Sequence, residues 1–348
     1  MARRSAGAGS AARREAGAHR VPRRSAVEWF RRALASENIV LLLAFAFFAA
    51  ALPFAPELAS PDNLQSLFLS VLPLLAITLG QTIVLITGGI DLSLTSTMAL
   101  SSVAGASIMT RESGPFAGSW AVPGGLCAML LVGAAVGLLN GLGVTLLGMP
   151  PFIVTLATMM TVSGLAIWST HSASIAGLPA AFVAIGSGTV GPIPAPVLVV
   201  IPLALAVHLL LSRTLLGQWM YAVGHSSRVA LVSGVPVRRV TMAAYVAGGL
   251  CAAVAAALYT ARLETGMPTL GRELLLDVIG AAVVGGTSLF GGRGKVTGTL
   301  FGVVLFAVVA RTLDLCGLQH YTIMMVKGSI ILLAAALDLA RRRVTGGF

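Results

Sequence analysis

The strongest constraint on this chain is a series of apolar stretches, each about as long as a bilayer is thick. A transmembrane helix needs about 20 apolar residues, with a range of roughly 17–25. Such stretches lie near 38–55, 66–88, 91–109, 121–147, 151–171, 193–212, 240–262, 274–290, 297–315 and 321–340. Composition agrees: 57% of the 348 residues are hydrophobic and 10% are charged, against about 25% charged in a soluble protein. So few charges cannot cover a soluble globule, and the apolar excess belongs in lipid. The expected fold is all-α, a polytopic transmembrane helical bundle of about ten spans. The 40 glycines suit close helix packing in lipid. The Gly, Ser and Thr content of the third, fourth and eighth stretches predicts helices that are broken, or buried among others.

The charges that remain give an orientation. Nine of the 23 Lys and Arg precede the first apolar stretch. Four more (Arg213, Arg228, Arg238, Arg239) fall in the loop 213–239, Arg293 and Lys295 in the turn 290–296, and Arg341–Arg343 after the last stretch. Alternating spans place all of these on one side, so the positive-inside rule puts both termini in the cytoplasm. Residues 1–37 read as a basic cytoplasmic tail, disordered to about Ser25, with a short interfacial helix around Val27–Leu34. Next to membrane spans, this tail is expected to face lipid headgroups and not nucleic acid. It lacks the apolar core and cleavage site of a signal peptide. The spanning domain is expected over 38–343, with 344–348 as a short tail.

Several chemistries have no motif here. There is no GxxxxGK[ST] phosphate loop, so this chain does not hydrolyse ATP by that route. There is no HExxH and no paired His/Cys spacing for a metal. Cys127, Cys251 and Cys316 lie in or beside apolar stretches, which suits packing better than disulfides.

Four ordered segments carry a family resemblance. They are Gly80-Gln81-Thr82-Ile83-Val84-Leu85-Ile86-Thr87-Gly88-Gly89-Ile90-Asp91-Leu92-Ser93, then Pro151-Phe152-Ile153-Val154-Thr155-Leu156-Ala157-Thr158. Next come Gly285-Gly286-Thr287-Ser288-Leu289-Phe290-Gly291-Gly292-Arg293-Gly294 and Gly298-Thr299-Leu300-Phe301-Gly302. The set resembles the ribose-type permeases, the membrane subunits of ATP-binding-cassette monosaccharide importers in the branched-chain amino acid/ribose permease superfamily. The likeness runs from about 38 to 343. It implies a multi-pass protein of the bacterial inner membrane that is no enzyme and binds no cofactor or metal. A cytoplasmic ATPase would use ATP, a periplasmic sugar-binding protein would deliver sugar near 56–65, 172–192 and 263–273, and a second permease copy or paralogue would complete the pathway.

The resemblance also implies a cytoplasmic helix that docks on the ATPase, within Ala222–Val235. Its residues are Gly224, Ser226, Ser227, Arg228, Val229, Leu231, Val232, Ser233 and Gly234. Local chemistry agrees: a 27-residue loop is too long for a simple turn, Ser226 or Ser227 suits a helix N-cap, and Gly234 suits its end. Relatives carry a Glu-Ala-Ala-like run after the first Gly; this chain has Ser227-Arg228-Val229, which bears on the details of docking.

Polar residues within apolar stretches are the remaining candidates. Asp91 reads as an N-cap for the next helix in preference to a proton or substrate site. Asp277 and Lys327 each need a partner or water, and can partner each other. Gln81, Asn140 and His208 suit interhelical hydrogen bonds or packing. Gln81, Asp91, Phe152, Thr155 and Asp277 are the candidates for lining a pathway, with Phe152 and Trp168 able to stack on a sugar or anchor at an interface. The rival reading is an ion-coupled secondary transporter of a small polar solute, using Asp91, Asp277 or Lys327, with the Gly pairs 88–89 and 285–286 marking broken helices in two halves.

Overall fold

The computed structural model describes residues 38–110 and 118–344. The expected tail and its interfacial helix lie outside these residues. The described residues form thirteen α-helices and one two-residue β-hairpin, Thr189–Val190 with Ile193–Pro194. In chain order the helices are α1 (Asn38–Ala51), α2 (Pro61–Ile86), α3 (Leu94–Met109), α4 (Ala121–Thr145), α5 (Pro151–Ser169), α6 (Ala180–Ser187), α7 (Ala195–Arg213), α8 (Leu215–His225), α9 (Ser227–Val232), α10 (Val237–Leu263), α11 (Leu275–Val284), α12 (Val296–Leu315) and α13 (His320–Val344).

Each of the ten apolar stretches contains one helix. Six are long and apolar enough to cross a membrane: Pro61–Ile86, Gly118–Thr145, Pro151–Ser169, Ala195–Arg213, Val237–Leu263 and Val296–Leu315. Local signals set the ends. Ser60 caps α2 by accepting the Asn63 N–H at 3.3 Å, and Pro61 opens the helix. The helix therefore starts five residues before the expected 66, because a Ser-Pro pair nucleates earlier than hydropathy alone indicates. The eighth stretch, expected over 274–290, is helical only to Val284 because Gly286 turns the backbone left-handed at φ 92°. The fourth stretch departs from expectation. It is one unbroken 25-residue helix, α4, with most of its side chains outward; its glycines serve contact with a neighbour and do not break it.

That neighbour is α10, the centre of the bundle, which packs on α2, α3, α4 and α6. Small residues allow it. A Cβ on Gly133 of α4 would lie 2.8 Å from the Ala253 Cβ and overlap the Gly249 carbonyl of α10. This is the small-residue packing that lets helices approach in lipid, where apolar surface gives no net drive for association. Buried hydroxyls tie further pairs: Ser102 to Thr260 at 2.6 Å joins α3 to α10, and Thr82 to Thr299 at 2.8 Å joins α2 to α12. Asp277 of α11 and Lys327 of α13 do pair, at 2.7 Å, with the carboxylate and the ammonium largely shielded from solvent.

Candidate functional site

The four segments singled out in the sequence converge at one end of the bundle. α2 ends at Ile86, where the Thr87 hydroxyl donates to the Val84 carbonyl at 2.7 Å. Gly88 then turns left-handed at φ 79°, and residues 87–93 run irregularly into α3. The α11–α12 connection meets this break. The Gly292 N–H donates to the Ile86 carbonyl at 2.9 Å, and Gly291 abuts Gly88. α8 closes the group from a third side: its Gly224 lies against the Ile86 carbonyl and the Gly292 nitrogen, and the Tyr221 hydroxyl donates to the Gly294 carbonyl at 2.8 Å. From α5, the Thr155 hydroxyl donates to the Pro151 carbonyl at 2.9 Å and reaches the Ile90 carbonyl at 3.4 Å.

Gly224 has no room for a side chain. A methyl there would overlap the Ile86 carbonyl oxygen. Gly224→Ala is therefore expected to destabilise the fold by about 1–3 kcal/mol through overpacking, measured as a lowered unfolding midpoint in mixed micelles.

Behind the junction lies a buried polar network. Asp91 Oδ1 accepts the Ser93 N–H at 2.8 Å and the Ser93 hydroxyl at 2.7 Å. Asn140 of α4 donates to the Ser93 oxygen at 2.7 Å and lies 3.4 Å from both Asp91 oxygens. The expected N-cap shifts accordingly. Ser93 occupies the cap position of α3, and Asp91 holds the turn before it through the N–H two residues on, an Asx turn. Three residues, Ile90, Asp91 and Leu92, separate Gly89 from that cap, which leaves the acid two positions before it.

The other candidates are scattered. Gln81 is fully buried in α2, and neither amide atom has a hydrogen-bond partner among the described residues. An unmet buried amide costs about 1–3 kcal/mol. Phe152 is exposed on α5, Thr155 is buried, and Asp277 is held by Lys327. His208 is exposed on α7, and Trp168 is exposed near the end of α5.

Beyond the junction stands α9. Ser226 caps it by accepting the Val229 N–H at 3.3 Å, and Gly234 ends it at φ 83°. Ala230 and Val235 are buried and seat the helix on the bundle. On the other side Val229, Leu231 and Val232 are 64%, 63% and 86% exposed. Three apolar side chains on a six-residue helix are therefore mostly uncovered among the described residues. The preceding helix α8 was not legible as such. Its signal, Thr214 accepting the Gly217 N–H at 3.1 Å, follows Arg213 inside what read as loop.

A family model described as "Branched-chain amino acid transport system / permease component" matches residues 63–335. The chain belongs to that family. It is thus a transport permease and a multi-pass integral membrane protein. Among similar proteins, the ribose import permease protein RbsC of Bacillus subtilis is 37% identical over 288 residues, covering 81% of this chain and 86% of that protein. The D-allose transport system permease protein AlsC of Escherichia coli is 32% identical over 277 residues, 80% of this chain and 83% of its own. The L-arabinose ABC transporter permease protein AraH of Azospirillum brasilense is 31% identical over 309 residues, 89% of each. No solved structure matches the chain. Within this permease, the family motifs are thus the parts that build one junction between α2, α3, α8 and the α11–α12 turn.

Proposed function

We propose that this chain is the transmembrane permease subunit of an ATP-binding-cassette importer for a ribose-like monosaccharide in the bacterial inner membrane. Similar permeases carry ribose, allose and arabinose in their names. The observation that carries the coupling half is α9, whose exposed Val229, Leu231 and Val232 suit a groove on a cytoplasmic ATPase. The basic residues of 213–239, 290–296 and 341–343 support a cytoplasmic position for that helix and for both termini. Ten spans follow if α1, α3, α11 and α13 cross together with the six helices long and apolar enough to do so.

In this reading two copies, or this chain and a paralogue, enclose the pathway. ATP binding draws the ATPases together. The force enters at α9 and passes through Gly224 to the 87–93 break and the α11–α12 turn. A periplasmic binding protein delivers the sugar, so the permease itself needs only a weak site.

The test is reconstitution in liposomes. The chain with its ATPase and binding protein is expected to take up sugar only with ATP, and the chain alone is expected to be inactive. Ion-gradient-driven uptake by the chain alone would overturn this reading in favour of a secondary transporter.

A further inference from the structure

The segment between α10 and α11 carries the inference. α10 stops at Leu263, where Glu264 turns left-handed at φ 56°. The chain then runs back along α3. The Met267 N–H donates to the Ser102 hydroxyl at 3.2 Å, and Gly271 lies against Thr95 and Met98. Ser102 to Thr95 is seven residues, roughly 10 Å of helix at 1.5 Å per residue. Non-helical backbone thus runs beside α3 for about two helical turns, and α3 is a span in the ten-span importer reading. Such backbone is tolerated there only when it is buried in protein or lines a water-filled cavity.

A cavity of about 340 Å³ is present at that place, between the first turn of α3, the middle of α5 and residues 268–275. Its volume is at the low end of the roughly 300–1,000 Å³ typical of small-molecule sites. Thr95, Ser163 and Thr269 line it, together with Arg272. Among the described residues, these three hydroxyls and the guanidinium have no side-chain hydrogen-bond partner. Ser96 also lines it, its hydroxyl donating to the Ser93 carbonyl at 2.8 Å, and the rest of the wall is apolar, with Met159 and Leu270 among it.

We propose that this cavity is the site where a neutral polyhydroxylated solute of monosaccharide size rests in transit. The inference rests on the importer reading. A sugar presents hydroxyls at its rim and C–H groups on its faces, and the wall offers the complement of both. An amino acid, the other solute class in the family's description, would bring an ammonium. Among the described residues no Asp or Glu lines the cavity to receive one. Thr95 follows the 87–93 break by two residues, so movement of the junction at Gly224 and Gly292 reaches the cavity wall directly.

The experiment uses the complete complex of permease, ATPase and binding protein in liposomes, with D-ribose, D-allose, L-arabinose and L-leucine as probes. The expected result is ATP-dependent uptake of at least one of the sugars and none of L-leucine. Thr95→Val, Ser163→Ala and Thr269→Val are each expected to lower sugar uptake about three- to tenfold, the loss of one neutral hydrogen bond. Ser329→Ala on α13, whose exposed hydroxyl donates only to the Met325 carbonyl of its own helix, should leave uptake unchanged. Should the Val variants fail to assemble with the ATPase, Ser163→Cys in a Cys127→Ser/Cys316→Ser background gives a second reading. Saturating sugar during turnover is expected to slow its methanethiosulfonate modification severalfold. Normal uptake by the three variants, or an unprotected Ser163→Cys in a complex that transports sugar, overturns the cavity assignment and leaves the importer standing. Uptake of L-leucine alone, or of none of the four probes, overturns the sugar-importer reading and the cavity assignment with it.

Discussion

Val232→Asp is expected to detach the ATPase from the permease while leaving the permease in the membrane. Val232 is the most exposed apolar residue of α9, at 86%, so its replacement disturbs little packing among the described residues. Burying a Val side chain at an interface contributes about 1.5–3 kcal/mol, and a buried carboxylate without a partner costs further kcal/mol. The two effects add to about 3 kcal/mol or more, roughly a hundredfold in affinity. Co-purification of the ATPase with the permease measures it. Arg228→Glu is expected to act in the same direction but to depend on salt, because Arg228 is exposed and surface charges are screened. Retention of the ATPase by both variants would remove α9 as the docking element and leave the family assignment untouched.

Much of the bundle was legible because lipid imposes a length rule that hydropathy reports. All ten apolar stretches contain a helix, and the cap at Ser226 and the stop at Gly234 follow local chemistry that needs no tertiary information. What escaped is of two kinds. α6 and α8 are short helices within 172–192 and 213–239, too brief for periodicity to separate them from loop. The second kind is tertiary. Thr95, Ser163 and Thr269 come from three distant segments, and nothing in their own surroundings distinguishes them from other hydroxyls in apolar helices. The family motifs stood out as strings, but only the fold explains why they are glycine-rich. Gly88, Gly224, Gly291 and Gly292 occupy one junction, where three chain segments approach backbone to backbone.

The Asp277–Lys327 pair shows the same limit, since no spacing rule links residues fifty positions apart. Lys327→Met is expected to be among the most destabilising single changes in the molecule. At 2.7 Å, with 16% and 9% side-chain exposure, the pair is buried enough that removing one partner strands a charge. Breaking a buried pair in this way costs about 3–5 kcal/mol. Asp277→Asn strands the ammonium instead, and a similar loss is expected. The double variant Asp277→Asn/Lys327→Met removes both charges and is expected to recover most of the stability, because a buried pair contributes little over neutral side chains of similar size. The comparison is a double-mutant cycle read by unfolding in mixed micelles. Glu273, in the turn just before α11, and His320, at the start of α13, lie 3.5 Å apart with exposed side chains and give the contrast. An exposed pair contributes about 0–1 kcal/mol, so Glu273→Gln should change the midpoint little. The cycle also bears on transport. If the pair only clamps α13 to α11, the double variant should transport sugar with ATP as the unaltered complex does. If instead the pair carries a coupling ion, restoring stability will not restore uptake.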